Sequence, residues 1–164
     1  MGKPNLTHIH FVHPVGIKLS AVVEQERQDA LTSLQSVGTI HLKGDAVDNS
    51  YTLELEMKEG ALICSFSSAV TPQDAPVEIS LPLKTLRTTI RDYFLIVQSY
   101  EDAKGAGGAR LEAIDMARRG IHNDGSEMLR GICARHFETD LDTARALFTL
   151  ICVLHIGKVR GPKF

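Results

Sequence analysis

Hydrophobic and polar residues alternate with two different periods along this chain, and the change of period divides it into two portions. Between residues 39 and 81, several short segments have apolar residues at every second position, which is the spacing of strands with one buried face. The clearest example runs from Tyr51 to Met57, where apolar residues alternate with Thr52, Glu54 and Glu56. From Pro82 onward, apolar residues recur at spacings of three and four, as they do on amphipathic helices. We therefore predict an α+β protein.

The N-terminal portion is predicted to contain a sheet and one helix. Alternation in Thr7–Val12 indicates a first strand, and Ser20 is a typical N-cap for a helix over Ala21–Gln35 that ends at Gly38. Further strands are predicted at residues 39–43, 51–57, 61–67 and 77–81. Because short turns connect several of them, we expect an antiparallel sheet of about four or five short strands with one wet face.

A layer of three or four helices in the C-terminal portion is expected to cover the other face of the sheet. One helix is predicted from Pro82 to about Lys104 and a second through residues 112–128. Thr139 is predicted to cap a last helix, with Asp142 as its capping-box partner. We expect a single domain over residues 1–164, with the sheet portion in 1–81, the helical portion in 82–157 and a flexible tail in 158–164.

Composition narrows the class of protein without specifying a reaction. The chain has 164 residues, of which 43% are hydrophobic and 23% charged, so it can bury a core of its own and is not disordered as a whole. A formal net charge of -2 gives no electrostatic reason to expect nucleic acid or a membrane as the main partner. Cys64, Cys133 and Cys152 have no paired spacing, and no signal peptide or membrane span is apparent. We therefore expect reduced thiols and a cytoplasmic location.

The stretch Glu112–Met128 carries the densest set of charged and polar side chains on a helical frame. If it is one continuous helix, its apolar stripe consists of Leu111, Ile114, Ala117, Ile121, Met128 and Ile132. Arg118 falls inside that stripe, while Asp115, His122 and Ser126 line its flank. A buried guanidinium needs a partner or access to solvent, so a carboxylate or an anionic ligand is expected beside Arg118. A structural ion pair is the simpler of these two interpretations.

A break in the helix is the competing interpretation. Asn123-Asp124-Gly125 is a strong turn signal, because Asn and Asp bond to nearby backbone and Gly accepts a positive φ. Ser126 would then cap a second short helix, whose free amides would face Arg118 and Arg119 and suit a phosphate or a carboxylate.

Several histidines and one charged helix face are further candidate sites. His8, His10 and His13 lie on or after the first strand and could ligate a metal, although no carboxylate or cysteine lies near them in sequence. His155 falls on the core-facing stripe of the last helix, where we expect a neutral core histidine that could meet Arg118 or His122. The polar face with Glu24, Glu26 and Arg27 is predicted to be a solvated surface.

Three segments of the C-terminal portion carry a resemblance to a known family. They read IRDYFLIVQSY, EAIDMARRGIHNDGSEML and DLDTARALFTLICVLH, and they lie between Leu81 and His155. In these runs the chain resembles the UPF0262 family of small alphaproteobacterial proteins, as it does at Ile9–Val12 and around Glu26. The resemblance implies a cytoplasmic bacterial protein and transfers no mechanism.

Three functional hypotheses follow from these residues. The first is a non-enzymatic interaction or regulatory module that binds a partner protein or a small anion through Arg118, Arg119, His122, Asn123, Ser126 and Glu127. The second is a metal-independent hydrolase or nuclease, in which His122 is the general acid or base, Arg118 or Arg119 stabilises charge and Asp115 orients the imidazole. The third is a metal site at the histidines of the first strand or at His122 with Asp115. The first is preferred; it needs no cofactor and no metal, and it leaves a homo-oligomer open.

Overall fold

Two small sheets and four α-helices make up the described part of the chain. The computed structural model describes residues 3–12, 19–45, 48–105 and 107–159. In chain order the elements are β1 (Leu6–Phe11), α1 (Ala21–Val37), β2 (Ile40–Leu42), β3 (Tyr51–Lys58), β4 (Ala61–Ser68), β5 (Val77–Pro82), a 3-10 turn (Lys84–Leu86), α2 (Arg87–Ala103), α3 (Gly108–Cys133), β6 (Phe137–Thr139) and α4 (Leu141–Val159). The α+β class predicted from the sequence is confirmed. The tail predicted at 158–164 lies, from residue 160 onward, outside the described residues.

The larger sheet is mixed, with the strand order β1-β3-β4-β5. β3, β4 and β5 form an antiparallel meander, but β1 pairs with β3 in parallel. The prediction of a wholly antiparallel sheet is therefore wrong at this edge. The physical reason is the connection: α1 lies between β1 and β3 in the chain, and such a crossover returns the chain in the same direction, as a tight hairpin cannot.

The smaller sheet joins the two portions of the chain. β2 is not part of the larger sheet; it pairs antiparallel with β6, which places Ile40 opposite Thr139. Thr139 is therefore a strand residue and not the predicted helix cap, and its hydroxyl donates to the Thr39 carbonyl at 2.7 Å. The cap of α4 is Asp140, whose Oδ1 accepts from the Thr143 amide at 2.8 Å. A side chain one residue later in the chain thus performs the predicted role.

The helices cover one face of the larger sheet and bury α4 among them. α1 packs against α4, α2 packs against α3, and α3 packs against α4. The predicted caps of α1 are confirmed, because the Val23 amide donates to Ser20 Oγ and the Gly38 amide donates to the Leu34 carbonyl. α4 is apolar nearly all round, which suits a central helix. Among the described residues no helix is long and apolar enough to cross a membrane.

α3 runs without a break through Asn123-Asp124-Gly125, so the turn interpretation is wrong. A Cβ added at Gly125 would lie 2.4 Å from ring atoms of Phe148, which is fully buried on α4. Glycine is needed here because the two helices approach closely, and not because the chain turns. The buried face of α3 consists of His122, Gly125, Ser126, Leu129 and Cys133. It is therefore rotated from the predicted stripe, of which Ala117 and Met128 are exposed.

Candidate functional site

A carboxylate on α1 lies at the centre of the polar groups that the helices bring together. Glu26 Oε1 accepts from Arg118 Nη1 on α3 at 2.5 Å, and its Oε2 accepts from the Tyr93 hydroxyl on α2 at 2.5 Å. Only 11% of the Glu26 side chain is exposed. We refer to Glu26, Tyr93, Asp115, Arg118 and His122 as the Glu26 cluster. It links α1 to both α2 and α3.

Glu26 is one of the residues that the sequence-based prediction missed, since it was assigned to a solvated surface. A signal for its burial was present in the spacing of the helix. Val23, Ala30 and Leu34 are the buried residues of α1, and Glu26 lies three residues after the first and four before the second. Residues at these spacings share one face of a helix, so Glu26 had to point inward.

The partly buried guanidinium of Arg118 is paired with carboxylates, as the cost of burying it alone predicts. Asp115 Oδ1 accepts from Arg118 Nε at 3.2 Å and from Nη2 at 2.7 Å, while Glu26 accepts from Nη1. Asp115 Oδ2 also lies 2.9 Å from Arg119 Nη2. Arg118 is thus held by two carboxylates from two helices. Its guanidinium mainly links α1 to α3, and three of its five N–H groups are already used, so few donors are left for a further anion.

His122 is buried, and both of its ring nitrogens face protein groups. Nδ1 lies 3.3 Å from the Thr149 hydroxyl on α4. Nε2 lies 3.5 Å from Glu26 Oε1, too long for a well-formed hydrogen bond, and no other partner approaches it within the described part of the chain. The ring edges pack against Tyr93 and Phe148, with centroids 5.7 Å and 6.0 Å away. The imidazole is therefore fixed in place.

The cluster keeps its carboxylates charged. Burial by itself raises the pKa of Glu26, but the nearby His122 ring, the hydrogen bond from Tyr93 and the charge of Arg118 outweigh it and hold that pKa below its usual range. The hydrogen bond and charge of Arg118 likewise lower the pKa of Asp115. Burial raises the pKa of the Tyr93 hydroxyl well above its usual range, so the hydroxyl stays protonated and donates to Glu26.

A pocket of about 280 Å³ opens between α1, α3 and α4 beside the cluster. Glu26, Arg118 and His122 are among its lining residues, together with Asp29, Asp142 and Arg145. Arg145 Nη1 donates to Asn123 Oδ1 at 3.2 Å, and Arg145 forms no ion pair with any residue that the structure describes. A second cleft, of about 410 Å³, shares Glu26, Asp29 and Arg118 and reaches Tyr100 and Lys104. The Glu26–Arg118 pair therefore borders both openings.

The residues predicted to bind a ligand or partner divide into exposed and buried groups. Arg119, Asn123 and Glu127 are exposed on α3. Ser126 is fully buried, and its hydroxyl donates to the His122 carbonyl one turn earlier in the same helix. With α3 continuous, Ser126 caps no second helix and presents no free amides to Arg118 or Arg119.

The other histidines lie away from the Glu26 cluster. His155 is half-buried and stacks on Phe94, with ring centroids 6.3 Å apart, so it meets neither Arg118 nor His122. Burial lowers the pKa of His155, and the nearby charge of Arg87 lowers it further. His10 on β1 lies opposite Glu54, but within residues 3–12, 19–45, 48–105 and 107–159 no three potential metal ligands come together. His13 lies outside the described residues.

Comparisons with known proteins agree with the resemblance found in the sequence. The model of a family described as "Uncharacterised protein family (UPF0262)" matches residues 3–157. A UPF0262 protein of Paramagnetospirillum magneticum is 39% identical over 155 residues, which cover 94% of this chain and 97% of the relative. A UPF0262 protein of Brucella canis is 44% identical over 134 residues, which cover 81% of this chain and 82% of the relative. No solved structure matches the chain.

Proposed function

Because the chain belongs to the UPF0262 family, whose description assigns no activity, we propose from its geometry that it is a non-enzymatic binding module. The proposed site is the pocket between α1, α3 and α4, and the proposed ligand is a small molecule with an anionic group. The region from Asp115 to Glu127 contributes one wall of this site. Occupancy of the pocket would tie three helices together, which is a suitable basis for a regulatory response.

The unpaired guanidinium of Arg145 is the observation that carries this proposal. It lines a pocket in which the other guanidinium, that of Arg118, is already neutralised by Glu26 and Asp115. A guanidinium without a carboxylate partner binds carboxylates and phosphates through paired hydrogen bonds. Asn123, which was predicted from the sequence to contact the ligand, accepts a hydrogen bond from Arg145 and so helps to orient it.

The remaining lining residues limit what the ligand can be. Asp29 and Asp142 also line the pocket, so a purely anionic ligand would meet repulsion there. A molecule that combines an anionic group with a hydrogen-bond donor, such as an ammonium or a hydroxyl group, would pair with both Arg145 and the two aspartates. A volume of about 280 Å³ is at the lower end of the range for ligand pockets, which favours a metabolite the size of an amino acid.

Catalysis receives less support from the same geometry. A general base has to reach the proton that it abstracts, but the ring nitrogens of His122 face Thr149 and Glu26. Arg118 would have to leave two carboxylates before it could stabilise a developing phosphate charge. The hydrolase or nuclease alternative therefore requires a rearrangement of the Glu26 cluster. For location we propose the cytoplasm, since the buried thiols of Cys64, Cys133 and Cys152 are unpaired, as is usual in reducing compartments.

A thermal-shift screen tests the proposal. The purified protein is heated with amino acids, dicarboxylic acids, inorganic phosphate and nucleotides, and each hit is confirmed by calorimetric titration. A ligand at about 100 times its Kd should stabilise the fold by about 2.7 kcal/mol, which corresponds to a shift of about 5 to 10 °C for a chain of this size. The shift should disappear in Arg145→Gln and persist in the control Arg110→Gln, which changes an exposed arginine of α3 that lines no pocket described above.

Two outcomes would contradict this function. The site is wrongly placed if a confirmed ligand binds Arg145→Gln as tightly as the wild type, and the ligand class is wrong if no compound in the screen binds. Hydrolysis of RNA or of p-nitrophenyl phosphate that is lost in His122→Ala, but not in Arg145→Gln, would favour the enzymatic alternative instead.

A further inference from the structure

A separate pocket of about 490 Å³ lies where the C-terminal end of α3 meets the end of β5 and the 3-10 turn. Its apolar lining comes from Pro82, Met128 and Ile132. Met128 is 38% exposed although it is large and apolar. None of these residues belongs to the Glu26 cluster or lines the pocket beside it.

Every charged or titratable side chain that lines this pocket is basic. They are Lys84, Arg135 and His136, and all three are exposed. None of them forms an ion pair with a residue in the described part of the chain. The whole chain has a formal net charge of -2, so this local excess of positive charge does not follow from composition.

Carbonyl groups at the end of α3 offset only part of this positive charge. The Arg130 carbonyl accepts from the Ala134 amide at 3.1 Å, and the Cys133 carbonyl accepts from the His136 amide at 2.8 Å. These bonds satisfy two of the last four carbonyls of α3 and so weaken the negative end of its dipole without removing it. The charges of Lys84 and Arg135 have to outweigh what remains for an anion to bind here.

Gly131 keeps the pocket open. It lies in α3 among the lining residues, and a Cβ placed there would meet no atom within 4 Å. Met128 lies one turn earlier, and its thioether is 3.5 Å from the Thr89 hydroxyl. Methionine side chains adapt to ligands of different shape, so an apolar group could settle against Met128 and Ile132.

We propose that this pocket binds an amphipathic anion, with its apolar body on Met128 and Ile132 and its anionic head group at Lys84 and Arg135. An apolar surface with a few convergent polar groups is typical of small-molecule sites, and a volume of about 490 Å³ lies within their usual range. The proposal does not depend on the pocket beside the Glu26 cluster.

Titration with 1-anilinonaphthalene-8-sulfonate, a fluorescent amphipathic anion, tests this site in the full chain. We expect a saturable rise in emission with the wild-type protein. Gly131→Leu should weaken binding at least tenfold, because the new side chain fills the pocket while leucine favours the helix. The matched control Gly120→Leu changes another α3 glycine with open space around it, and it should bind as the wild type does.

Charge reversal tests the anionic part of the proposal. Lys84→Glu combined with Arg135→Glu should also weaken the dye at least tenfold, whereas the neutral analogue N-phenyl-1-naphthylamine should be affected less than twofold. Arg145→Gln should leave dye binding unchanged, so failure here is distinguishable from failure of the first site. Displacement of the dye by decanoate or by decyl phosphate then shows which head group the site prefers.

The proposal is overturned if dye binding does not saturate, if Gly131→Leu and Gly120→Leu behave alike, or if neither decanoate nor decyl phosphate displaces the dye. Each variant must also retain a cooperative thermal transition, because the dye binds partly unfolded protein as well.

Discussion

Replacement of Gly125 by alanine measures how strongly α3 and α4 depend on their close approach. The added methyl group would lie 2.4 Å from ring carbons of Phe148, a distance at which one of the two groups must move. Phe148 is fully buried, so its ring cannot swing away toward solvent. The same substitution at Gly120 or Gly131, both in α3, meets no atom within 4 Å.

The difference between these variants isolates the steric cost. In each of them alanine should favour the helix by about 0.5 to 1 kcal/mol relative to glycine. At Gly120 and Gly131 this gain stands alone, so both variants should be more stable than the wild type. At Gly125 an overpacking cost of about 1 to 3 kcal/mol is added. Because the propensity gain is common to all three, Gly125→Ala should be about 1 to 3 kcal/mol less stable than Gly120→Ala.

Urea unfolding followed by circular dichroism gives these free energies directly, provided that the slope with denaturant is the same in all variants. A thermal melt should show a corresponding separation of about 2 to 4 °C for each kcal/mol. Equal stabilisation of Gly125→Ala and Gly120→Ala would refute the close packing of Gly125 on Phe148.

Three further predictions concern the Glu26 cluster and the cap of α4. Glu26→Gln should destabilise the fold by about 1 to 3 kcal/mol in urea, since two short hydrogen bonds lose a charged acceptor; an unchanged midpoint would mean that Arg118 is satisfied by Asp115 alone. The pKa of Glu26 is lowered in the folded state, so its contribution to stability is present above its ordinary value of 4.5 and is lost as the pH falls through the lower folded value. Unfolding of the wild type from pH 7 to pH 3 should therefore show a steeper loss of stability than unfolding of Glu26→Gln, and parallel curves would contradict the shift. Asp140→Ala should cost about 0.5 to 2 kcal/mol through loss of the cap, whereas Asp142→Ala, at a side chain without a hydrogen bond to any described residue, should cost less.

The sequence was most informative where one periodic pattern ran long enough to define an element. Alternation from Tyr51 onward predicted β3, and Ser20 with Gly38 predicted the limits of α1. Strand β2 lies within the strand predicted at residues 39–43, whereas β6, which also has three residues, was not predicted because it is too short to show a period. Alternation did not reveal the parallel pairing of β1, because side chains alternate with the same period in parallel and antiparallel strands; the helix predicted between β1 and β3 was the signal for it.

The candidate site was predicted in part. A carboxylate partner for Arg118 followed from the cost of burying a guanidinium alone, and the structure places Asp115 and Glu26 there. Tyr93 and Arg145 could not be assigned, because they come from helices whose contacts with α3 are a matter of tertiary packing. Asn123-Asp124-Gly125 was misleading for a similar reason: a local preference for turns was outweighed by the burial of Gly125 against Phe148.

The pairing of Thr39 with the start of α4 has a consequence for the order of events during synthesis. The Thr39 hydroxyl donates to Asp140 and its amide donates to the Thr143 hydroxyl, across 101 and 104 positions of sequence. A ribosome that adds about 5 to 20 residues per second would therefore incorporate Thr39 about 5 to 20 seconds before it incorporates Asp140 and Thr143. Throughout that interval α1 also lacks α4, against which it packs in the finished protein. The apolar face of the nascent N-terminal portion therefore stays uncovered until the last helix has been made.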